Sequence, residues 1–129
     1  MEVRDYRDLK VWQAGLELAE AVYAVTTDFP KAEVFGLISQ LRRAAVSIPS
    51  NIAEGHARDS TKEFLRFISI AMGSLAELET QLTLACRLGF LERKNLEELT
   101  EQTDAIGRML RGLQNSLRAR LSQPPVSSP

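Results

Sequence analysis

The sequence predicts an all-α protein, an up-down-up-down, left-handed four-helix bundle whose second helix is kinked at Pro49. Three observations carry this. Apolar residues recur at steps of three and four through four separate stretches, and each stretch is closed by proline or glycine punctuation. No stretch shows the alternation of a strand. At 129 residues the chain has the length of one domain, with residues 9–121 as the bundle, 1–8 as a polar lead-in and 122–129 as a disordered tail.

In the first helix, Leu9, Trp12, Leu16, Ala19 and Tyr23 form one stripe, and Val11, Leu18, Val22, Val25 and Phe29 form a second beside it. A bundle helix touches two neighbours, so two stripes are what the fold requires. Asp8 is placed to cap this helix, and Phe29-Pro30 stops it. A short connection then leads to a second helix over about Val34 to Ala53, with Gly55 as a left-handed terminator.

That second stretch, GLISQLRRAAVSIPSNIAEGHARD from Gly36 to Asp59, is the most peculiar in the chain. Leu37, Leu41, Ala44, Ile48 and Ile52 share one side of a helix, yet Pro49 lacks the N–H owed to the Ala45 carbonyl. Ser47, Ser50 and Asn51 surround the fault and can bond freed backbone groups. The alternative is an irregular backbone at a binding or subunit contact.

Ser60 to Glu63 reads as a capping box that starts the third helix. Phe64, Ile68, Ala71, Leu75, Leu78, Leu82 and Ala85 then keep a heptad, which favours shallow left-handed crossings. Leu65, Phe67, Ile70 and Met72 are apolar beyond what that seam needs, and the excess reads as a subunit interface. Ser74, Glu77 and Gln81 share a line that is either a polar subunit contact or solvated. Gly89 ends the third helix, and Phe90 and Leu91 pack across the turn. The fourth runs from about Glu92 to Leu121 on Leu96, Leu99, Thr103, Ile106, Leu110, Leu113 and Leu117, with acidic residues early and basic residues late, as its dipole favours.

Chemistry is harder to find. One histidine, His56, and one cysteine, Cys86, provide no His/Cys metal set within a chain, and the paired Glu-x-x-His of di-iron bundles is missing, so no cofactor is expected. No nucleophile elbow or phosphate-binding glycine loop occurs. An enzyme is therefore not expected. The single cysteine and the charged N-terminus, with no long apolar run, point to the cytoplasm rather than a membrane.

Sixteen basic residues against seventeen acidic ones exclude a general polycation. Basic side chains do concentrate locally as Arg42, Arg43, Arg58, Lys62 and Arg66, against Glu54, Asp59 and Glu63, a candidate phosphate-binding patch that several copies would multiply. A plain solvated surface is the competing explanation.

The segments RDLKVWQ (7–13), GLISQLRRAAVSIPSNIAEGHAR (36–58), KEFLRFISIAMGSLAELETQL (62–82) and LGFL (88–91) resemble the four-helix-bundle proteins encoded by intervening sequences in 23S ribosomal RNA genes. The resemblance implies an up-down-up-down bundle, a homopentamer, a role in binding RNA or another nucleic acid, and no catalytic residue. It extends to the accessory proteins of diversity-generating retroelements, which are strongly basic pentameric barrels; the near-neutral charge here departs from that pattern. A scaffold for a protein partner, held through apolar faces, is the alternative function.

Overall fold

A computed structural model describes residues 5–123, and among these every regular element is helical. The four main helices are α1 (Lys10–Thr26), α2 (Leu37–Ala57), α3 (Thr61–Arg87) and α4 (Arg93–Ser122), with single 3-10 turns at Tyr6–Asp8 and Lys31–Glu33. Short connections turn each helix back along its predecessor, and α4 closes the ring against α1. The core follows the stripes: Leu18 and Val22 of α1, Leu41, Ile48 and Ile52 of α2, Ile68, Leu78 and Leu82 of α3, and Ile106, Leu110 and Leu117 of α4 are fully buried. In α1 the second stripe forms the core, whereas Leu16 and Tyr23 of the first are exposed. Residues 124–129 of the expected tail lie outside the described residues, and Ser122 still belongs to α4.

Several local expectations change. Asp8 does not cap α1, because residues 6–8 form their own turn capped by the Asp5 carboxylate, which accepts from the Arg7 amide at 2.9 Å. Leu9 is the residue before α1, with no side-chain cap. Helix α1 ends at Thr26, not at Phe29; Phe29 is instead the buried anchor of the loop, its ring 6.0 Å from Phe90 across the same end of the bundle. Helix α2 begins three residues later than expected, at Leu37, whose amide donates to the Glu33 carboxylate at 3.2 Å. A negative group there suits both the free amides and the dipole.

The capping box at Ser60 is half present. Ser60 Oγ accepts from the Glu63 amide at 3.2 Å, but the Ser60 amide donates to the Arg58 carbonyl at 2.7 Å, and Glu63 turns to Arg66 instead. The end of α3 matches expectation closely. Gly89 sits at φ 82°, with the Phe90 amide donating to Ala85 O at 2.9 Å and the Gly89 amide to Cys86 O at 3.0 Å, the paired bonds of a Schellman turn.

Helix α2 runs through Pro49 without a break. The Pro49 ring is buried against Gly15 of α1, where an added Cβ would lie 3.3 Å from Pro49 Cβ and Cδ. Asn51 Nδ2 donates to the Ser47 carbonyl at 2.8 Å and to Ser47 Oγ at 2.9 Å, contacts beside the proline that do not reach the Ala45 carbonyl, while Ser50 stays exposed.

Gly55 is not a terminator: it lies inside α2 with no positive φ, and the helix continues to Ala57. Its function is proximity. A Cβ there would stand 2.6 Å from Phe67 Cβ and 3.0 Å from Phe64 Cδ1, so α2 and α3 touch at this end only because residue 55 lacks a side chain. Gly55→Ala should therefore lower stability by about 1–3 kcal/mol, the usual range for overpacking. Gly112→Ala, where nothing lies within 4 Å, should be neutral or slightly stabilising. Thermal denaturation of both variants checks this, and equal midpoints would contradict the close approach.

Candidate nucleic-acid interface

The five basic residues expected to act together fall into two groups. Arg42 and Arg43 sit in the first half of α2, about 22 Å by helical rise from Arg58 at its end. Arg42 is engaged within the chain. Its Nε donates to Thr26 Oγ1 at 2.9 Å, an Nη donates to the Tyr23 carbonyl at 3.4 Å, and its guanidinium lies 4.4 Å from the Tyr23 ring centre. A cation at the last turn of α1 also opposes the negative end of that helix. Arg43, by contrast, is exposed and lines the grooves on both sides of α2.

Arg58, Lys62 and Arg66 do gather, at the α2–α3 turn. Arg66 pairs with Glu63 at 3.0 Å and Arg58 with Glu54 at 3.3 Å, and both guanidinium groups cover the Phe67 ring, at 4.6 and 5.2 Å from its centre. Cations over an aromatic face gain from its quadrupole while their far sides stay wet.

A fourth cation joins them. Arg118 of α4 lines a groove of about 310 Å³ together with Lys62, Glu63, Leu65, Arg66 and Ser69. Sequence reasoning missed it because Arg118 lies more than fifty positions away. The antiparallel order was the available signal, since the end of α4 must lie beside the start of α3. Arg58, Lys62, Arg66 and Arg118 thus stand against Glu54, Asp59 and Glu63, a small local positive excess.

The expected apolar set does not form one face. Phe67 is only 5% exposed, packed on Gly55 beneath and roofed by the two arginines. Leu65 and Met72 are half-buried against the core, and Ile70, at 41% exposure, is the member that faces solvent. Four residues at positions 65, 67, 70 and 72 spread around more than half a helical turn, so their shared hydrophobicity could not place them together.

The Ser74, Glu77 and Gln81 line turns out to meet α2 of the same chain. Ser74 and Ser47 share a hydroxyl hydrogen bond of 2.8 Å, and Gln81, only 8% exposed, donates to Glu77 at 3.1 Å and to Gln40 at 3.5 Å. Gln81 Oε1 is buried without a partner. Among the described residues no set of three His, Cys, Asp or Glu side chains gathers as a metal site, and no helix is long and apolar enough to cross a membrane. His56 meets Phe64 edge-on at 5.6 Å, and Cys86 is a half-buried free thiol.

A model of the family described as 23S rRNA-intervening sequence protein matches residues 7–112. Among solved structures, the fold is similar to that of a protein of unknown function from the S23 ribosomal protein family of Bacteroides thetaiotaomicron. The TM-score is 0.73 at 24% identity, over 81% of this chain and 97% of that one. No curated protein matches the chain.

The Arg66 hydrogen bond holds the Glu63 carboxyl below its ordinary value of 4.5, and the same pairing raises Arg66. A depressed carboxylate contributes stability that is in place above its unfolded value and is lost as pH falls through its folded value. Glu63→Gln should therefore lower the melting temperature slightly at neutral pH, and the difference from wild type should shrink below pH 4.5. Melting curves across that window check it, and a gap that widens with acid would contradict the pairing.

Proposed function

Because this chain belongs to the 23S rRNA-intervening sequence protein family, we propose that it is a non-enzymatic helical bundle that assembles from several copies and binds structured RNA through phosphate contacts. The observation that carries the reading is the convergence of Lys62, Arg66 and Arg118 from two helices on one groove, with Arg58 beside it. Their charged ends are exposed, and a phosphate can approach all of them from one side. The attraction is local and modest, because Glu63 and Glu54 already satisfy two of the four cations. Repetition around an oligomer compensates: several weak patches on one particle act at high effective concentration on a single folded RNA. Near-neutral overall charge supports a local rather than global contact.

A second reading is favoured by Phe35, which is 95% exposed beside the exposed Val34. An aromatic side chain standing in water at a loop suits a protein partner, and in that reading the chain is a scaffold whose charges keep it in solution.

Titration with structured RNA at two salt concentrations separates them. Phosphate binding predicts affinity that falls with salt, and Lys62→Ala with Arg66→Ala and Arg118→Ala should weaken it roughly tenfold or more. The salt slope should drop by about 0.7 for each contact removed. Glu63→Gln should tighten binding by freeing Arg66. Affinity indifferent to salt and to all these variants would overturn the RNA reading and leave the scaffold.

A further inference from the structure

Exposed apolar side chains are not spread evenly over this bundle. Tyr23 at the end of α1, Val34 in the connection and Val46 in α2, each at least 41% exposed, border one open groove of about 530 Å³ between the first two helices. Phe35, 95% exposed, follows Val34 at the same end. Soluble chains seldom leave that much apolar surface together without a use for it. The polar lining carries one sign of charge, Arg42 and Arg43 without any carboxylate. Arg42 is held by two uncharged acceptors, Thr26 Oγ1 and the Tyr23 carbonyl, so its charge is not neutralised. Arg43 enters no ion pair among the described residues. It also borders the groove toward α3, where Glu77 accepts from Gln81, but that carboxylate does not line the α1 side.

Shape narrows the occupant. From Leu37 to Ser50, α2 rises about 20 Å along this groove, the length of a helix of three to four turns. A small ligand needs walls on most sides, whereas this groove is open along its length and suits a rod laid into it. Its wall is low, because Ser39, Ser47 and Ser50 are small, and small side chains at a contact let two helix axes come close. The acidic run of this chain's own α4 does not suit it. Glu97, Glu98, Glu101 and Asp104 are exposed, yet no exposed large apolar side chain lies among them to fill the groove.

From these features we infer that the α1–α2 groove docks an acidic amphipathic helix of a different protein. Its apolar stripe lies on Tyr23, Val34 and Val46, and its flanking carboxylates meet Arg43 and Arg42. The inference rests on the protein-partner reading above and names that partner's chemistry; RNA contact at the far end of α2 does not enter it. Helices that dock in this way read grooves with anchors at i, i+3 or i+4, and i+7. Phe35 prolongs the apolar strip beyond the start of α2 and offers an aromatic anchor of the kind that dominates such contacts. The two guanidinium groups fix orientation and reject a basic helix of the same shape.

Two synthetic helical peptides of about four turns test this, alike in a leucine stripe at i, i+3 and i+7, one flanked by glutamates and the other by lysines. Each is titrated against the full-length protein by fluorescence anisotropy. The glutamate peptide should bind at least tenfold more tightly than the lysine peptide, and Arg43→Glu should abolish that preference. Val46→Glu, at an exposed helix position, should weaken the glutamate peptide roughly tenfold and leave RNA affinity as in wild type. Equal binding of the two peptides, or glutamate-peptide binding unmoved by both variants, would overturn the inference. If that equal binding is lost in Phe35→Ala, the protein-partner reading survives with a different surface chemistry; if neither peptide binds, both fall. Sedimentation in which Val46→Glu dissociates a wild-type oligomer would also overturn the inference, since a sister copy would then cover the groove.

Discussion

The contact between α2 and α3 governs the rest of this structure. At its lower end Gly55 lets the helices close until Phe67 fills the space a side chain would take; above, Ser47 meets Ser74 and Gln40 meets Gln81. Steric fit sets how near the helices lie, and the polar pairs set their register. Apolar burial alone is indifferent to a slip of one turn, whereas a slip of one turn here would set Phe67 against Asn51 or Ile52, which carry side chains where Gly55 has none, and strand the buried Gln81 amide.

The grouping of the basic side chains follows from this register. Since α2 ends where α3 begins, Arg58 stands beside Lys62 and Arg66, and Phe67 offers its ring to two guanidinium groups at once. Since α4 runs back along α3, its far end delivers Arg118 to the same groove. In the groove between α2 and α3 the register places Arg43 and Glu77 at one height. Arg42, its neighbour in sequence, is spent differently: it ties α2 to the last turn of α1 through Thr26 and the Tyr23 carbonyl. Adjacent arginines thus take separate tasks because successive side chains on a helix point about 100° apart.

Most of the architecture was legible in the chain, because the heptad from Phe64 to Ala85 and the stop at Gly89 act locally. What was not legible involves choices that depend on a second helix. Gly55 looks like a terminator when α2 is considered alone and becomes a contact glycine only once Phe67 is beside it. Pro49 looks like a fault, yet its ring is a packing surface for Gly15, and the helix passes through it. Phe67 reads as surplus hydrophobicity until Arg58, Arg66 and Gly55 enclose it, and Ser60 reads as half of a reciprocal cap until Arg66 draws Glu63 away. Of the basic site, the Lys62–Arg66 spacing was visible and Arg118 was not, since only the antiparallel return of α4 relates them.

Native-state hydrogen exchange tests the central position of the α2–α3 seam most directly. If the seam is the frame, the amides of Ile48 to Ile52 around Pro49 and those of Ile68 to Leu78 should exchange together, and only through global unfolding, while α1 and α4 open at lower free energy. Fast, independent exchange around Pro49, with α1 and α4 better protected than α2 and α3, would contradict it.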